Sequence, residues 1–264
     1  MNETHAPATS KVAAVTLVFW IMKILATTLG ETGGDAVSMS LGLGYLVGTA
    51  IFALVFAIAV AAQIKADRYH PTLYWFTIIA TTTVGTTLAD FADRSLGIGY
   101  AGGSALLLTL LLTCLYVWHR TLGSVAIDTV SSPRAEAFYW ITIMFSQTLG
   151  TALGDWTADS LGLGYVGAMV IFGSLLLVIA ALYFWTSLSR VALFWAAFVL
   201  TRPLGAVVGD FLDKPLESGG LALSRFAASA VLFLLIGVCL FALPQRAATR
   251  ADATIRLSKQ RSFQ

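Results

Sequence analysis

One pattern recurs four times and constrains the fold more than any other: a Trp, a Gly ten residues later, and an Asp five residues beyond that. The Trp residues are Trp20, Trp75, Trp140 and Trp195. The Gly residues are Gly30, Gly85, Gly150 and Gly205, and the Asp residues are Asp35, Asp90, Asp155 and Asp210. The first three copies close on Ser-Leu-Gly-x-Gly-Tyr, whereas the fourth degenerates to PLESGG. Copies start 55, 65 and 55 residues apart, with the extra ten falling around the polar linker HRTLGSVAIDTVSSPR (119–134). A fixed period of this length marks a repeat architecture, here four like units grouped two and two.

The nature of each unit follows from its apolarity. Hydrophobic residues make up 58% of the chain and charged residues only 11%, with a mean hydropathy of +0.82. Soluble domains carry about 25% charged residues, so the composition reads as an integral membrane protein. Each repeat contains two runs of spanning length, at about 12–33, 43–63, 72–89, 98–118, 136–154, 162–187, 191–209 and 221–243. Helices satisfy their own backbone groups in lipid, and nothing alternates with the period of two that a barrel requires.

The expected fold is therefore an all-α integral membrane protein. Eight transmembrane helices form four parallel-oriented two-helix repeats with pseudo-fourfold (2+2) symmetry. In each repeat an A helix bears the Trp and a B helix follows the Gly-rich loop. Residues 1–11 form a tail, 12–118 repeats one and two, 119–134 a linker, 135–243 repeats three and four, and 244–264 a basic tail. The first apolar run continues past signal-peptide length without a small-residue cleavage site, so it reads as a retained helix.

Orientation follows from the basic residues. Eleven lie on the side of the termini (Lys11, Lys65, Arg68, Arg120, Arg134, Arg190, Arg246, Arg250, Arg256, Lys259, Arg261). The opposite loops hold Arg94, Lys214 and Arg225. Both termini are expected in the cytoplasm, and the repeats share one orientation about an axis normal to the membrane. The basic tail reads as an anchor against anionic lipid.

The W-x9-G-x4-D spacing and the SLGLGY closures resemble a family of bacterial membrane proteins of unassigned function. Its members are built from four tandem repeats, each with two transmembrane segments and a characteristic Trp. The resemblance covers about residues 12–243. It implies the eight-helix fold and supplies no activity.

The chemistry lies on the A helices. Positions three, seven, eleven and fifteen after each Trp read Lys23, Thr27, Glu31, Asp35; then Ile78, Thr82, Thr86, Asp90; then Ile143, Gln147, Thr151, Asp155; and finally Phe198, Arg202, Ala206, Asp210. A spacing of four keeps side chains on one face, and a polar stripe in lipid must face protein or water. Four such stripes can converge on one axis. The Asp residues lie about 22 Å of helix from the Trp residues, at the mouth of any pathway, and Arg202 falls near the midplane, where it needs a partner such as Glu31 or a motif Asp. Lys23 lies nearer the inside and could snorkel to the cytoplasm. Pro203 is expected to bend or break its helix.

Simpler roles compete for these residues. Each Asp could organise the Gly-rich turn, and Ser40, Ser95 and Ser160 could cap the B helices. The Trp residues read as interfacial or packing residues, with an inner aromatic belt in view. Asp93, Asp159, Asp213 and Glu217 read as solvated loop charges. Cys114 and Cys239 are small apolar residues in apolar runs, and His5, His70 and His119 form no cluster. Without a nucleotide motif, a nucleophile elbow or a plausible catalytic set, enzymatic activity is not expected, nor is nucleic-acid binding.

The expected function is transport of a small cation, a divalent metal such as Mn or Mg or a proton-coupled ion, across a bacterial inner membrane. Asp35, Asp90, Asp155 and Asp210 would form a binding ring, since hard oxygen ligands suit such ions. Glu31, Thr86 and Thr151 would extend the binding surface, while Arg202, Gln147, Thr27, Thr82 and Lys23 would gate or couple passage. The metal is substrate, and the lipid bilayer is the other partner. Two alternatives stand beside it: a transporter of a small organic or anionic solute with Arg202 as the anion site, and a non-transporting scaffold or sensor.

Overall fold

The computed structural model describes residues 10–249. The expected tails beyond them, with Arg250, Arg256, Lys259 and Arg261, lie outside the described residues. Eight long helices make up the described chain: α1 (Leu17–Asp35), α2 (Gly44–Lys65), α3 (Pro71–Asp90), α4 (Tyr100–Leu122), α5 (Pro133–Asp155), α6 (Gly164–Trp185), α7 (Arg190–Asp213) and α8 (Arg225–Ala242). Five of them, α2, α4, α6, α7 and α8, are long and apolar enough to cross a membrane.

Local chemistry sets the helix starts. Thr16, Ser132, Ser189 and Ser224 are N-caps whose side chains accept from a backbone N–H in the first turn. Pro71 and Pro133 open α3 and α5, where a missing N–H costs nothing. The first apolar run begins as an arm and not as a helix. Val12 and Ala14 pair antiparallel with Ala248 and Arg246, and Lys11 bridges Glu136 at 2.6 Å while donating to the last carbonyls of α2. The two ends of the described chain therefore meet at one end of the bundle, the Trp end.

The first helices of the repeats close a ring, with α1 against α3, α3 against α5, α5 against α7, and α7 back against α1. Each second helix packs on the first helix of the following repeat: α2 on α3, α4 on α5, α6 on α7, and α8 on α1. The repeat glycines explain how closely the ring is drawn. A Cβ on Gly30 would strike Thr82, one on Gly85 Gln147, one on Gly150 Arg202, and one on Gly205 Thr27. In every case the glycine at ten after the Trp admits the side chain at seven after the Trp of the next repeat. One turn further, Gly34 meets Thr86, Gly154 meets Ala206 and Gly209 meets Glu31 in the same manner. Small residues four apart allow such close helix approach.

Polarity is distributed inside out. The outer helices expose Leu54, Ile58, Leu177, Phe233 and Leu234, while Thr, Gln, Arg and Asp are buried within the ring. Many of these threonines return their hydroxyls to their own helix, as Thr77, Thr81, Thr83 and Thr87 do to carbonyls four residues back.

Two expectations are corrected here. Helix α7 is not broken at Pro203 but continues through it; the Pro203 ring lies against Gly150, where a Cβ would come within 3.0 Å of Pro203 Cδ. Ser40, Ser95 and Ser160 do not cap the second helices. The first helices of repeats one to three pass instead through one π-helical turn (Ala36–Ser40, Phe91–Ser95, Trp156–Ser160), and the chain reverses on glycines with left-handed φ, such as Gly42 at 68° and Gly44 at 78°. The Trp residues, read as interfacial or packing residues, pack between repeats. Phe19 packs on Trp75, Tyr74 on Trp140, Tyr139 on Trp195, and Phe194 on Trp20, centroids 5.6–6.3 Å apart. The Tyr74 and Tyr139 hydroxyls share a 2.6 Å hydrogen bond. This eight-ring collar is largely buried and closes the Trp end of the ring.

Candidate functional site

Above the collar the polar stripes stack in tiers. The lowest cation is Lys23, whose ammonium lies 3.9 Å from the centre of the Phe198 ring. It is fully buried, so it does not snorkel to the surface; the collar lies between it and the Trp end. One turn further along α7 from Phe198 stands Arg202, also fully buried. Its Nη2 donates to Glu31 Oε2 at 2.9 Å, to Thr86 Oγ1 at 2.6 Å and to Thr151 Oγ1. Thr86 also lies 3.3 Å from the same Glu31 oxygen. The three partners are the residues eleven after the Trp in repeats one, two and three, where repeat four has Ala206. The small Ala206 side chain leaves room for Arg202 to rise from the tier below.

Asp35, Asp90 and Asp155 end their α-helices and Asp210 lies in the last turn of α7, each at most 3% exposed. The side chains of Asp35, Asp90 and Asp155 cap no turn; they meet cations. Arg94 bridges Asp90 through Nε at 2.9 Å and Asp155 through Nη2 at 3.2 Å. Lys214 bridges Asp210 at 3.0 Å and Asp35 more closely, with Asp213 at 3.9 Å. Arg225 pairs with Asp213 at 2.8 Å and lies 3.8 Å from Asp35. Asp213, expected as a solvated loop charge, is thus buried in the site, whereas Asp159 and Glu217 are exposed. Burial works against the charge of Lys214, but Asp210, Asp35 and Asp213 outweigh it and hold its pKa above the usual lysine range.

Arg94 and Lys214 entered the sequence reading only as markers of orientation. The signal that identifies them is register: each stands nineteen residues after its Trp, one turn beyond its own Asp. The equivalents in repeats one and three are Met39 and Asp159. The irregular fourth loop seats Lys214. Leu221, Ala222 and Leu223 donate backbone bonds to Phe211, Lys214 and Leu212, folding the loop back over the end of α7. The ring is consequently stapled in pairs, Asp90 with Asp155 and Asp210 with Asp35. A seam remains between Asp35 and Asp90, where oxygens of Glu31, Asp35 and Asp90 all lie within 4.8 Å of one another.

Of the remaining expected residues, Thr27 donates to Ile24 and Thr201 carbonyls. Thr82 and Gln147 are fully buried at the helix contacts with Gly30 and Gly85, and neither finds a hydrogen-bond partner for its tip among the described residues.

No curated protein and no solved structure shows significant similarity to the chain. A family described as a repeat of unknown function, DUF347, matches four times, at residues 18–69, 73–124, 138–189 and 193–246. Each match starts two residues before a repeat Trp and takes in two long helices. The matches span most of the sequence, and the chain belongs to the DUF347 repeat family.

Proposed function

We propose that this chain is a membrane transport protein for a small cation, a divalent metal ion such as Mn2+ or Mg2+ or a proton-coupled ion, in a bacterial inner membrane. The observation that carries the reading is a surplus of buried acid. Glu31, Asp35, Asp90, Asp155, Asp210 and Asp213 are each at most 7% exposed, and they face four cations, Arg94, Lys214, Arg225 and Arg202. Uncompensated buried charge is costly, so two further positive charges are called for, one divalent ion or two monovalent ones. The oxygens of Glu31, Asp35 and Asp90 offer the hard ligands that such ions prefer.

On this reading all eight helices cross the bilayer. α1, α3 and α5 have 19, 20 and 23 residues, roughly 28–35 Å of helix, and their polar residues are shielded inside a pseudo-fourfold ring. Both ends of the described chain lie at the Trp end, where basic residues are in excess, which favours a cytoplasmic location for that end. The ammonium of Lys214 and the guanidinium of Arg94 act as tethered counter-ions that an entering cation displaces. Passage further inward meets the Arg202–Glu31 pair and then the aromatic collar. A device closed at both points works as a carrier with alternating access and not as an open pore.

The test is flux into proteoliposomes. Wild-type protein is expected to move Mn2+, Mg2+ or protons, and the folded quadruple variant Asp→Asn at 35, 90, 155 and 210 to move none. Equal flux from both proteins, or none from wild type for any cation, overturns the proposal.

A further inference from the structure

Between the collar and the Arg202–Glu31 pair lies a second set of buried polar groups that a cation ring does not use. The Nζ of Lys23, the Nε and Nη1 of Arg202, both amide atoms of Gln147 and the Oγ1 of Thr82 have no hydrogen-bond partner among the described residues. All four residues are fully buried. They come from α1, α7, α5 and α3, one from each helix of the ring, and from two adjacent tiers of the stripe. Groups buried without partners cost free energy, and this set is too large and too uniform in kind to be incidental.

The kind is donor. Lysine ammonium, arginine guanidinium and amide nitrogen only donate, leaving the Gln147 carbonyl and the Thr82 hydroxyl as the acceptors of the set. Formal charge agrees: Lys23 and Arg202 contribute two positive charges, and Glu31 cancels one. Water brings donors and acceptors in equal number and no charge, so it balances neither the hydrogen bonds nor the excess charge. A monovalent anion balances both. We propose that the unpartnered groups of Lys23, Thr82, Gln147 and Arg202 bind a small monovalent anion of halide size, held by the two cations. The inference goes beyond cation transport: Arg202 also pairs with Glu31, but the anion is argued from the unpartnered atoms of these four residues and stands if the Asp ring binds nothing.

Its test is thermal unfolding of the full-length protein in nanodiscs, in sodium chloride, bromide or gluconate at equal ionic strength, so that screening is constant. A ligand that binds the folded state raises Tm saturably with its concentration. Chloride and bromide are expected to do so and bulky gluconate is not. Lys23→Met, which removes one cation at similar volume, is expected to abolish the halide response. Gln147→Leu leaves all charges in place and is expected to weaken the response severalfold, which keeps the proposal testable if the first variant does not fold. Asp35→Asn is expected to retain it. Identical melting of wild type in all three salts overturns the proposal, as does a halide response that persists unchanged in the Lys23 and Gln147 variants.

Discussion

Glu31→Gln removes the carboxylate that Arg202 touches and leaves nearly everything else in place. Arg202 is fully buried and Glu31 is 2% exposed, with 2.9 Å between Nη2 and Oε2. Removing one member of a buried pair strands the other charge and costs about 3–5 kcal/mol. Glutamine retains an acceptor for Arg202, so the lower end, about 3 kcal/mol, is expected. Arg202→Met strands Glu31 instead and is expected to destabilise by a similar amount. Combining the two removes both charges from an otherwise packed helix contact, an exchange that is often close to neutral. The double variant should therefore be more stable than either single one, with a coupling of about 3 kcal/mol. Equilibrium unfolding of the four proteins in mixed micelles measures the cycle. A Glu31→Gln variant within about 0.5 kcal/mol of wild type, the usual range for inconsequential substitutions, would refute the argument that this pair carries opposite charges in the folded protein.

Two further outcomes follow from the packing and the staples. Gly205→Ala places a methyl group on Thr27, within 2.6 Å of its Cβ and 3.1 Å of its backbone carbonyl carbon, and should destabilise by about 1–3 kcal/mol through overpacking. Gly237→Ala on α8 meets nothing within 4 Å and should be neutral or stabilising by up to about 1 kcal/mol, so Tm separates the two by sign. Lys214→Met leaves Asp35 and Asp210 without their shared cation and should lower Tm, while Mn2+ should restore Tm more in this variant than in wild type. Because the folded pKa of Lys214 is raised, its stabilising contribution is complete below the unfolded value of about 10.4 and is lost as pH rises through the folded value. The gap in Tm between wild type and Lys214→Met should then hold steady from neutral to mildly alkaline pH.

The repeat made much of the fold legible, because a period shared by Trp, Gly and Asp fixes which residues occupy equivalent places. The helix pairs, the polar stripe and the convergence of Glu31, Thr86 and Thr151 on Arg202 all sit at the repeat positions. Packing between repeats was harder to read. The Gly30–Thr82 and Gly205–Thr27 contacts depend on which helix follows which around the ring, and a linear pattern does not carry that order. The Trp residues were open to misreading for the same reason: an interfacial Trp and a Trp packed on a neighbouring repeat share one spacing, and only the Phe19, Tyr74, Tyr139 and Phe194 partners one position earlier distinguish them. Arg94 and Lys214 break the fourfold pattern by appearing in alternate repeats, so a search for identity among repeats passed over them. Helices α1, α3 and α5 fall outside the five candidate spans, since helices lining a polar interior give up apolar character.

The most direct test is the position of Mn2+ by anomalous diffraction from crystals of the full-length protein. Cation entry at the Asp ring predicts an ion about 2.0–2.6 Å from oxygens of Glu31, Asp35 and Asp90, with Lys214 moved off Asp35. Mn2+ found only at exposed acids such as Asp159 and Glu217, with the Lys214 and Arg94 bridges intact, would contradict it.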